Sequence, residues 1–536
     1  MPTPPDRRKR HGVHYTPPPL AAFLASRAAA FAPPGRPLRV LDPACGDGEL
    51  LAAAAAALGP GVRLTGYDRD PAAVAAARTR LPAADLRTAD FLETPPPAAG
   101  FDLVITNPPY VRTQVLGAHR SAELSARLGL RGRVDLTHAF VALAGRALRP
   151  GGVLALLCAN RFLFTRAGAN MRHTLTAGYD VREVFDLGDT RLFDAAVLPA
   201  IVIATASAPA TEPGPSRYVR AYQSATAAAG GDLYAALRAP ASSTATVDGR
   251  TVDVTVGELA AAPDPAEPWR QRTPAGETWR ARVAAGTWRR FGDLAKIRVG
   301  IKTTADAVFV RDNWDALPPA VRPEDDLLLP LLTHRNLTAW SPPTDPATRV
   351  LYPYDRSSDR RRLLDLAAYP RARSYLDLHA DRLRSRRYVT DAGRAWYEIW
   401  VPQRPSSWRS PKVVFPDISV RGRFALDRSG AVVNGDCYWI NVDELPSEDV
   451  ALLMAGVANS SFGAAFYDRT CGNQLYAGRR RWITQYVERF PLPDPDSVAG
   501  RQVVAVARKL CEAGAGDQPD LLALLDEAVA TAFDVA

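Results

Sequence analysis

The tetrapeptide Asn107-Pro108-Pro109-Tyr110 closes the apolar run Phe101-Asp-Leu-Val-Ile-Thr106 and gathers groups that can act on a nitrogen. Two successive prolines fix φ and remove backbone donors, so a strand-end loop is held in one shape with its carbonyls left to accept. A planar amino group is a poor nucleophile because its lone pair is delocalised. The Asn107 side-chain oxygen and the Pro108 carbonyl can take its two N–H groups and draw the nitrogen towards a pyramidal geometry. Tyr110 can stack on a nucleobase rotated out of a duplex, the position in which a base becomes open to chemistry. The plain alternative is a rigid Pro-Pro turn carrying a buried tyrosine.

A second constellation lies upstream. In Val40-Leu-Asp-Pro-Ala-Cys-Gly-Asp-Gly-Glu-Leu-Leu51, Gly46 and Gly48 stand between a strand-like and a helix-like run, where a backbone without Cβ can approach a ligand, although such turns also serve packing alone. Asp68, which ends Thr65-Gly-Tyr-Asp68, follows Gly46 by 22 positions (68 − 46). That is close to the roughly 20-residue offset at which a carboxylate meets a ribose in doubly wound folds. The alternative role, capping the next helix, suits Asp70 better.

These residues need a frame, and the surrounding pattern supplies one. From Leu38 to Ala206, strand-like runs alternate with helices expected over Leu50–Ala57 and Ala72–Arg80, which predicts a parallel α/β sheet with ligands at the carboxyl ends of its strands. The apolar runs 151–160 and 199–206 continue that sheet. A length of 536 residues asks for two or three domains. We divide the chain into 1–206, a linker at 207–268 marked by Ala, Thr, Pro and Gly, an irregular α/β module at 269–495, and a helical segment at 496–536. In the last, Leu521, Leu522, Leu525 and Val529 fall at helical spacing.

A formal net charge of +9 favours a polyanionic partner. No window reaches the roughly 18 apolar residues needed to cross a bilayer. Met1 to Tyr15 is basic and lacks the apolar core of a secretory signal, so we expect a cytoplasmic protein without a membrane partner. Five cysteines, odd in number and without a C-x-x-C pair, argue against a disulfide framework and against zinc, and no metal is expected.

The glycine turn resembles the first motif of class I methyltransferases, Asp-Pro-Ala-x-Gly-x-Gly. By that resemblance Asp42, Pro43, Ala44, Gly46 and Gly48 surround the methionine end of S-adenosyl-L-methionine, Asp68 holds its ribose, and Cys45 is a wall residue. With the tetrapeptide the resemblance sharpens to DNA adenine-N6 methyltransferases of the gamma motif order, the TaqI-like group. His14-Tyr15-Thr16-Pro17 resembles their upstream motif, whose Thr lines the methionine site. Ala89-Asp90-Phe91 resembles the third motif, where the Asp meets the cofactor adenine amino group and the Phe packs on that ring. Leu187 to Val197, with Phe193, resembles the eighth, whose aromatic clamps the flipped base. The methyl donor implied is a sulfonium, so neither a metal nor a covalent intermediate is required.

The resemblance extends more loosely through the remainder. Phe291 to Thr304 looks like the opening of a target-recognition domain, with Lys302 and Thr303 near the DNA backbone, and Cys471 to Trp482 like its late basic segment. Arg479, Arg480 and Arg481 fit phosphate contacts, while Asn473 and Gln474 fit adenine edges; an arginine run is also often a solvated face. Asp381 to Tyr388 is a second basic stretch for the same cleft. The activity implied is site-specific methylation of adenine N6 in double-stranded DNA, in restriction-modification or phage defence. The rivals are a protein-glutamine or RNA N-methyltransferase and an inactive DNA-binding module. We expect a monomer on one duplex, with any restriction endonuclease or defence partner a separate protein, since the stretch before Arg36 is too short for a nuclease.

Overall fold

In the strand runs Val40-Leu41, Leu103-Val104-Ile105 and Val153 to Leu157 every side chain is buried, as parallel strands require when helices cover both faces. The computed structural model describes residues 15–34, 36–110, 118–130, 135–193, 198–206, 215–224, 229–262, 264–472, 474–514 and 518–535. The chain divides into two units, Met1–Pro274 with Gly472–Gly478, and Ala275–Cys471 with Arg479–Ala536.

The first unit is built on an 11-stranded sheet. Its strands are β1 (Arg39–Asp42), β2 (Arg63–Asp68), β3 (Asp85–Thr88), β4 (Phe101–Thr106), β5 (Leu148–Ala159), β6 (Tyr179–Asp186), β7 (Pro199–Ala206), β8 (Arg217–Gln223), β9 (Ser243–Val247), β10 (Arg250–Ala260) and β11 (Arg270–Arg272). They lie in the order β11-β10-β8-β6-β7-β5-β4-β1-β2-β3, with β9 beside β10. Strands β1 to β5 pair in parallel, and β7 runs antiparallel between β5 and β6.

Helices α1 (Pro18–Ala29), α2 (Glu49–Leu58) and α3 (Pro71–Arg80) contribute Phe23, Leu51 and Val74 to one face of the sheet, against Val40, Leu103 and Ile105. On the other face, α4 (Leu136–Ala147) and α5 (Ala169–Gly178) bring Phe140 and Leu175 to Leu41, Val104 and Leu154. This alternation follows from strands that point successive side chains to opposite faces. The strand order reverses at β1 and β4, and the crevice at the carboxyl ends there is where open α/β sheets bind ligands.

The stretch expected to be a linker, 207–268, is corrected by the structure. Its described residues carry β8, β9 and β10, which extend the sheet, and a short helix at Leu233–Arg238. Val252 and Val254 are fully buried, and with Val256 they alternate with Asp253 and Thr255. This period of two was hidden by a composition rich in small and polar residues.

The second unit is irregular. It holds two four-stranded sheets and two strand pairs, one of them Ile418–Ser419 with Arg480–Arg481. The helices Glu448–Asn459, Val498–Ala513 and Pro519–Ala532 share one core with Phe424, Trp482 and Phe490, so the 496–536 stretch belongs to this unit instead of standing apart. Among the described residues no single helix is long and apolar enough to cross a membrane.

Candidate active site

After β1 the chain turns sharply because Gly46 and Gly48 take φ values of 51° and 84°, a region that L side chains rarely enter. Three hydrogen bonds hold the turn. Asp42 Oδ1 accepts the Ala44 N–H at 3.0 Å, the Tyr67 carbonyl accepts the Cys45 N–H at 2.8 Å, and Asp68 Oδ2 accepts the Gly46 N–H at 2.9 Å. Asp68 Oδ1 accepts the Asp70 N–H at 2.8 Å, and Asp70 caps α3 by accepting the Ala72 N–H at 2.9 Å. Asp68 thus fastens the end of β2 to the glycine turn and leaves the capping role to Asp70. The Tyr15 ring lies over Gly46, 3.5 Å from where a Cβ would stand.

Asp42 is fully buried, and neither its Oδ2 nor the Thr106 hydroxyl has a hydrogen-bond partner among the described residues. Burial pushes the Asp42 carboxyl up to about 7, against the pull of the Ala44 N–H and of the Thr106 hydroxyl, which is near it without bonding geometry. A buried acceptor without a donor invites a cationic or N–H group from a ligand. The Cys45 thiol is pushed up by burial and by the Asp42 and Asp68 carboxylates, which keeps it protonated and unreactive.

At the end of β4, the Asn107 amide is held at both ends. Its Nδ2 donates to the Thr16 hydroxyl at 3.1 Å, and its Oδ1 accepts the Tyr110 hydroxyl at 2.6 Å. Thr16 is buried in the residues that lead through Pro17 into α1. Pro108 is buried, Pro109 is half-buried, and the Pro108 carbonyl accepts no hydrogen bond among the described residues. Tyr110 is half-buried, and burial around its hydroxyl pushes the phenol well above its ordinary range. It therefore stays a neutral donor.

The other expected ligand residues are placed less openly. Asp90 accepts the Leu92 N–H at 3.0 Å through Oδ1, and its Oδ2 faces Arg69 at 3.6 Å and Arg120 at 3.5 Å. Phe91 is 1% exposed between Tyr67 and Phe140, with ring centroids at 5.9 and 5.5 Å, so its ring meets core on these sides. Phe193 is buried with Leu187 on the α1 side of the sheet. His14 and residues 194–197 of the eighth motif lie outside the described residues. Among the described residues no group of His, Cys, Asp and Glu is arranged to hold a metal ion.

The cationic residues expected to meet DNA have different fates. Lys302 is exposed and lines a cavity of about 480 Å³ with Lys296 and Arg404. Thr303 is buried, its hydroxyl donating to Asp306 and accepting the Ala305 N–H, so it is occupied within its own loop. Asn473 lies outside the described residues; Gln474 is half-buried in the Gly472–Gly478 segment, which belongs to the first unit. Arg479 is exposed, Arg480 is ion-paired with Asp468 at 2.6 Å, and Arg481 is paired with Asp417 at 3.2 Å. In the second basic stretch Arg386 points inward, donating to the carbonyls of Thr303, Leu383 and Trp396. Sequence reasoning missed the Thr16–Asn107 contact, which spans 91 positions and leaves no local signal.

The reversal of strand order at β1 and β4, with the glycine turn on one side and the tetrapeptide on the other, defines an α/β class I S-adenosylmethionine-dependent methyltransferase. Residues 64–193 match the Eco57I restriction-modification methylase family. The chain is 34% identical over 547 aligned positions to the type II methyltransferase M.BanIII of Aneurinibacillus aneurinilyticus, covering 94% of this chain and 93% of that one. It is 26% identical over 411 positions to M.XhoI of Xanthomonas vasicola, covering 76% and 70%. The fold resembles that of the type IIL restriction-modification enzyme MmeI, solved in complex with DNA, with a TM-score of 0.59 at 13% identity over 97% of this chain and 71% of that one. The chain belongs to the type II DNA methyltransferases of restriction-modification systems. Its methyl donor is S-adenosylmethionine, and the residues fit it: a buried carboxylate oxygen on Asp42 without a partner among the described residues, a sharp turn at Gly46 and Gly48 in positive φ, and an acid at the end of β2.

Proposed function

We propose that this chain methylates the exocyclic N6 of adenine in double-stranded DNA, with the target base rotated out of the stack, and that it belongs to the gamma motif order. The observation that carries the reading is the arrangement at the end of β4. Because Thr16 takes the Asn107 Nδ2, the Asn107 Oδ1 is turned towards the face that Tyr110 now occupies. The Pro108 carbonyl offers the second acceptor. A target amino group displaces the Tyr110 hydroxyl from Oδ1 and donates one N–H there and the other to Pro108, which localises the nitrogen lone pair. Released, Tyr110 presents its ring to the base, where stacking contributes about 1–3 kcal/mol. The sulfonium of S-adenosylmethionine supplies an already activated methyl group. Asp42, Gly46, Gly48 and Asp68 bind the donor on the β1 side, and Thr16 joins the two halves of the site.

A monomer acting on one duplex, with a separate endonuclease, suits a family of restriction-modification enzymes. The test is expression of the wild type and Asn107→Ala in a host lacking adenine methylation, followed by mass spectrometry of digested plasmid DNA and long-read sequencing. N6-methyladenine at one recurring motif, in the wild type only, is expected. Methylcytosine instead, or methylation found only on protein or RNA, overturns the reading.

A further inference from the structure

In the second unit a cavity of about 980 Å³ is walled on one side by the segment Asp417 to Arg423 and also reached by Arg479. Ile418–Ser419 pairs antiparallel with Arg480–Arg481, forming a two-stranded ribbon. Strand geometry sends Ile418 and Ser419 to opposite faces, and the chain bends at Val420 and Arg421, which takes those two residues out of that alternation. Ser419 is accordingly buried, while Ile418 and Val420 are 38% and 51% exposed, two of the seven large apolar side chains this open among the described residues. Arg421 and Arg479 are exposed too, and their guanidinium groups make no hydrogen bond or ion pair with any described residue.

The acids around this cavity are already occupied. Asp417 is paired with Arg481 at 3.2 and 3.3 Å, and Asp436 is hydrogen-bonded by His334 Nδ1 at 2.5 Å. Behind the ribbon, Arg480 grips Asp468 at 2.8 and 2.6 Å and donates to the Val420 carbonyl. The Trp482 N–H donates to the Asp417 carbonyl at 2.7 Å. The ribbon is therefore fixed in place while two arginine forks and two aliphatic groups are left open.

That combination selects a partner. Phosphates alone would account for the arginines and gain nothing from Ile418 and Val420, whereas base edges use both kinds of group. A major groove admits a two-stranded ribbon, a guanidinium fork matches guanine O6 and N7, and an aliphatic group packs on the thymine methyl. We infer that this ribbon is the base-reading element of the protein, entering the major groove of duplex DNA with Arg421 and Arg479 on guanine edges and Ile418 and Val420 on thymine methyls. The inference rests on the DNA reading above.

The test uses the full chain and the variants Arg421→Ala, Arg421→Lys, Arg479→Ala and Ile418→Ser/Val420→Ser, each checked by thermal melting. Methylation is mapped on a library in which every target position is varied, and DNA affinity is measured across a salt series. Each arginine variant is expected to accept other bases at one position, its discrimination there falling by about 5- to 150-fold, with the salt slope nearly unchanged. Arg421→Lys, which keeps charge but not the fork, is expected to relax that position as Arg421→Ala does. The aliphatic variant is expected to relax a thymine position. Equal weakening on all sequences, with a salt slope smaller by about one per arginine, makes these phosphate contacts and overturns the inference. A wild type confined to one motif and variants with the same motif and rate overturn it while leaving the DNA reading intact; a wild type that methylates no DNA overturns both.

Discussion

At the turn after β1 and at Asn107 to Tyr110, a residue's type already states its use, whereas in the run Arg479 to Arg481 three identical neighbours are used in three ways. Gly46 and Gly48 adopt positive φ, and the two prolines fix the loop that carries Asn107. These are backbone constraints, written locally. Arg479 meets no partner among the described residues, Arg480 is committed to Asp468 and Arg481 to Asp417, 12 and 64 positions away. An arginine's role depends on which carboxylate the fold brings to it, and no local pattern specifies that.

The contrast can be tested, beginning where the effect is largest. In the proposed reaction, Asn107→Ala removes one of two acceptors for the target amino group. Its single-turnover methyl-transfer rate is expected to fall by about 10²- to 10³-fold, the size seen when one preorganised hydrogen bond is removed from a transition state, with donor affinity retained. A smaller rate loss would mean that Pro108 and Tyr110 suffice.

The arginine run should separate into roles. Arg480→Ala removes the ion pair to Asp468 and is expected to cost about 1–3 kcal/mol in denaturant unfolding, while Arg479→Ala stays within about 0.5 kcal/mol of the wild type. Equal losses for the two would erase the distinction.

Asp42 offers a pH test. With its carboxyl near 7, the ligand-free site is protonated and uncharged below that value and ionised above it. Affinity for the cationic donor is therefore expected to rise by about tenfold between about pH 6 and pH 8, as calorimetry would read. The sign for stability is the opposite. A carboxyl raised in the folded state binds a proton that the unfolded chain releases, so the ligand-free protein loses stability as pH climbs from the ordinary carboxylate range to about 7. Asp42→Asn should flatten both slopes.

A smaller effect on methyl transfer than that of Asn107→Ala is expected at Thr16. Thr16→Val removes the acceptor that orients the Asn107 amide and should slow methyl transfer by about 5- to 10-fold, with Thr16→Ser restoring it. Slowing by both substitutions alike would assign Thr16 to packing alone.

Much of the first unit was legible from one dimension because its signals are periodic or conformational. Strands alternating with helices announced the parallel sheet, glycines marked the turn after β1, and Asp70 was readable as the cap of α3 in preference to Asp68. Strands β8 to β10 of the sheet were missed because Val252 and Val254 sit among small and polar residues that resemble a linker. Phe91 carries a family role in its motif, and only the structure sets its ring between Tyr67 and Phe140.

By itself, then, the sequence determined where the chain can turn, which strand ends carry reactive groups and which chemistry those groups suit, because glycine, proline and hydrophobic period act on the backbone within a few residues. The tertiary structure decided that Thr16 and Tyr110 bracket the Asn107 amide, which arginines meet a carboxylate among the described residues and that Ile418 and Val420 are exposed in the segment that carries Arg421. Each of these depends on a partner brought from tens of positions away, and long-range proximity is a property of the packed chain alone.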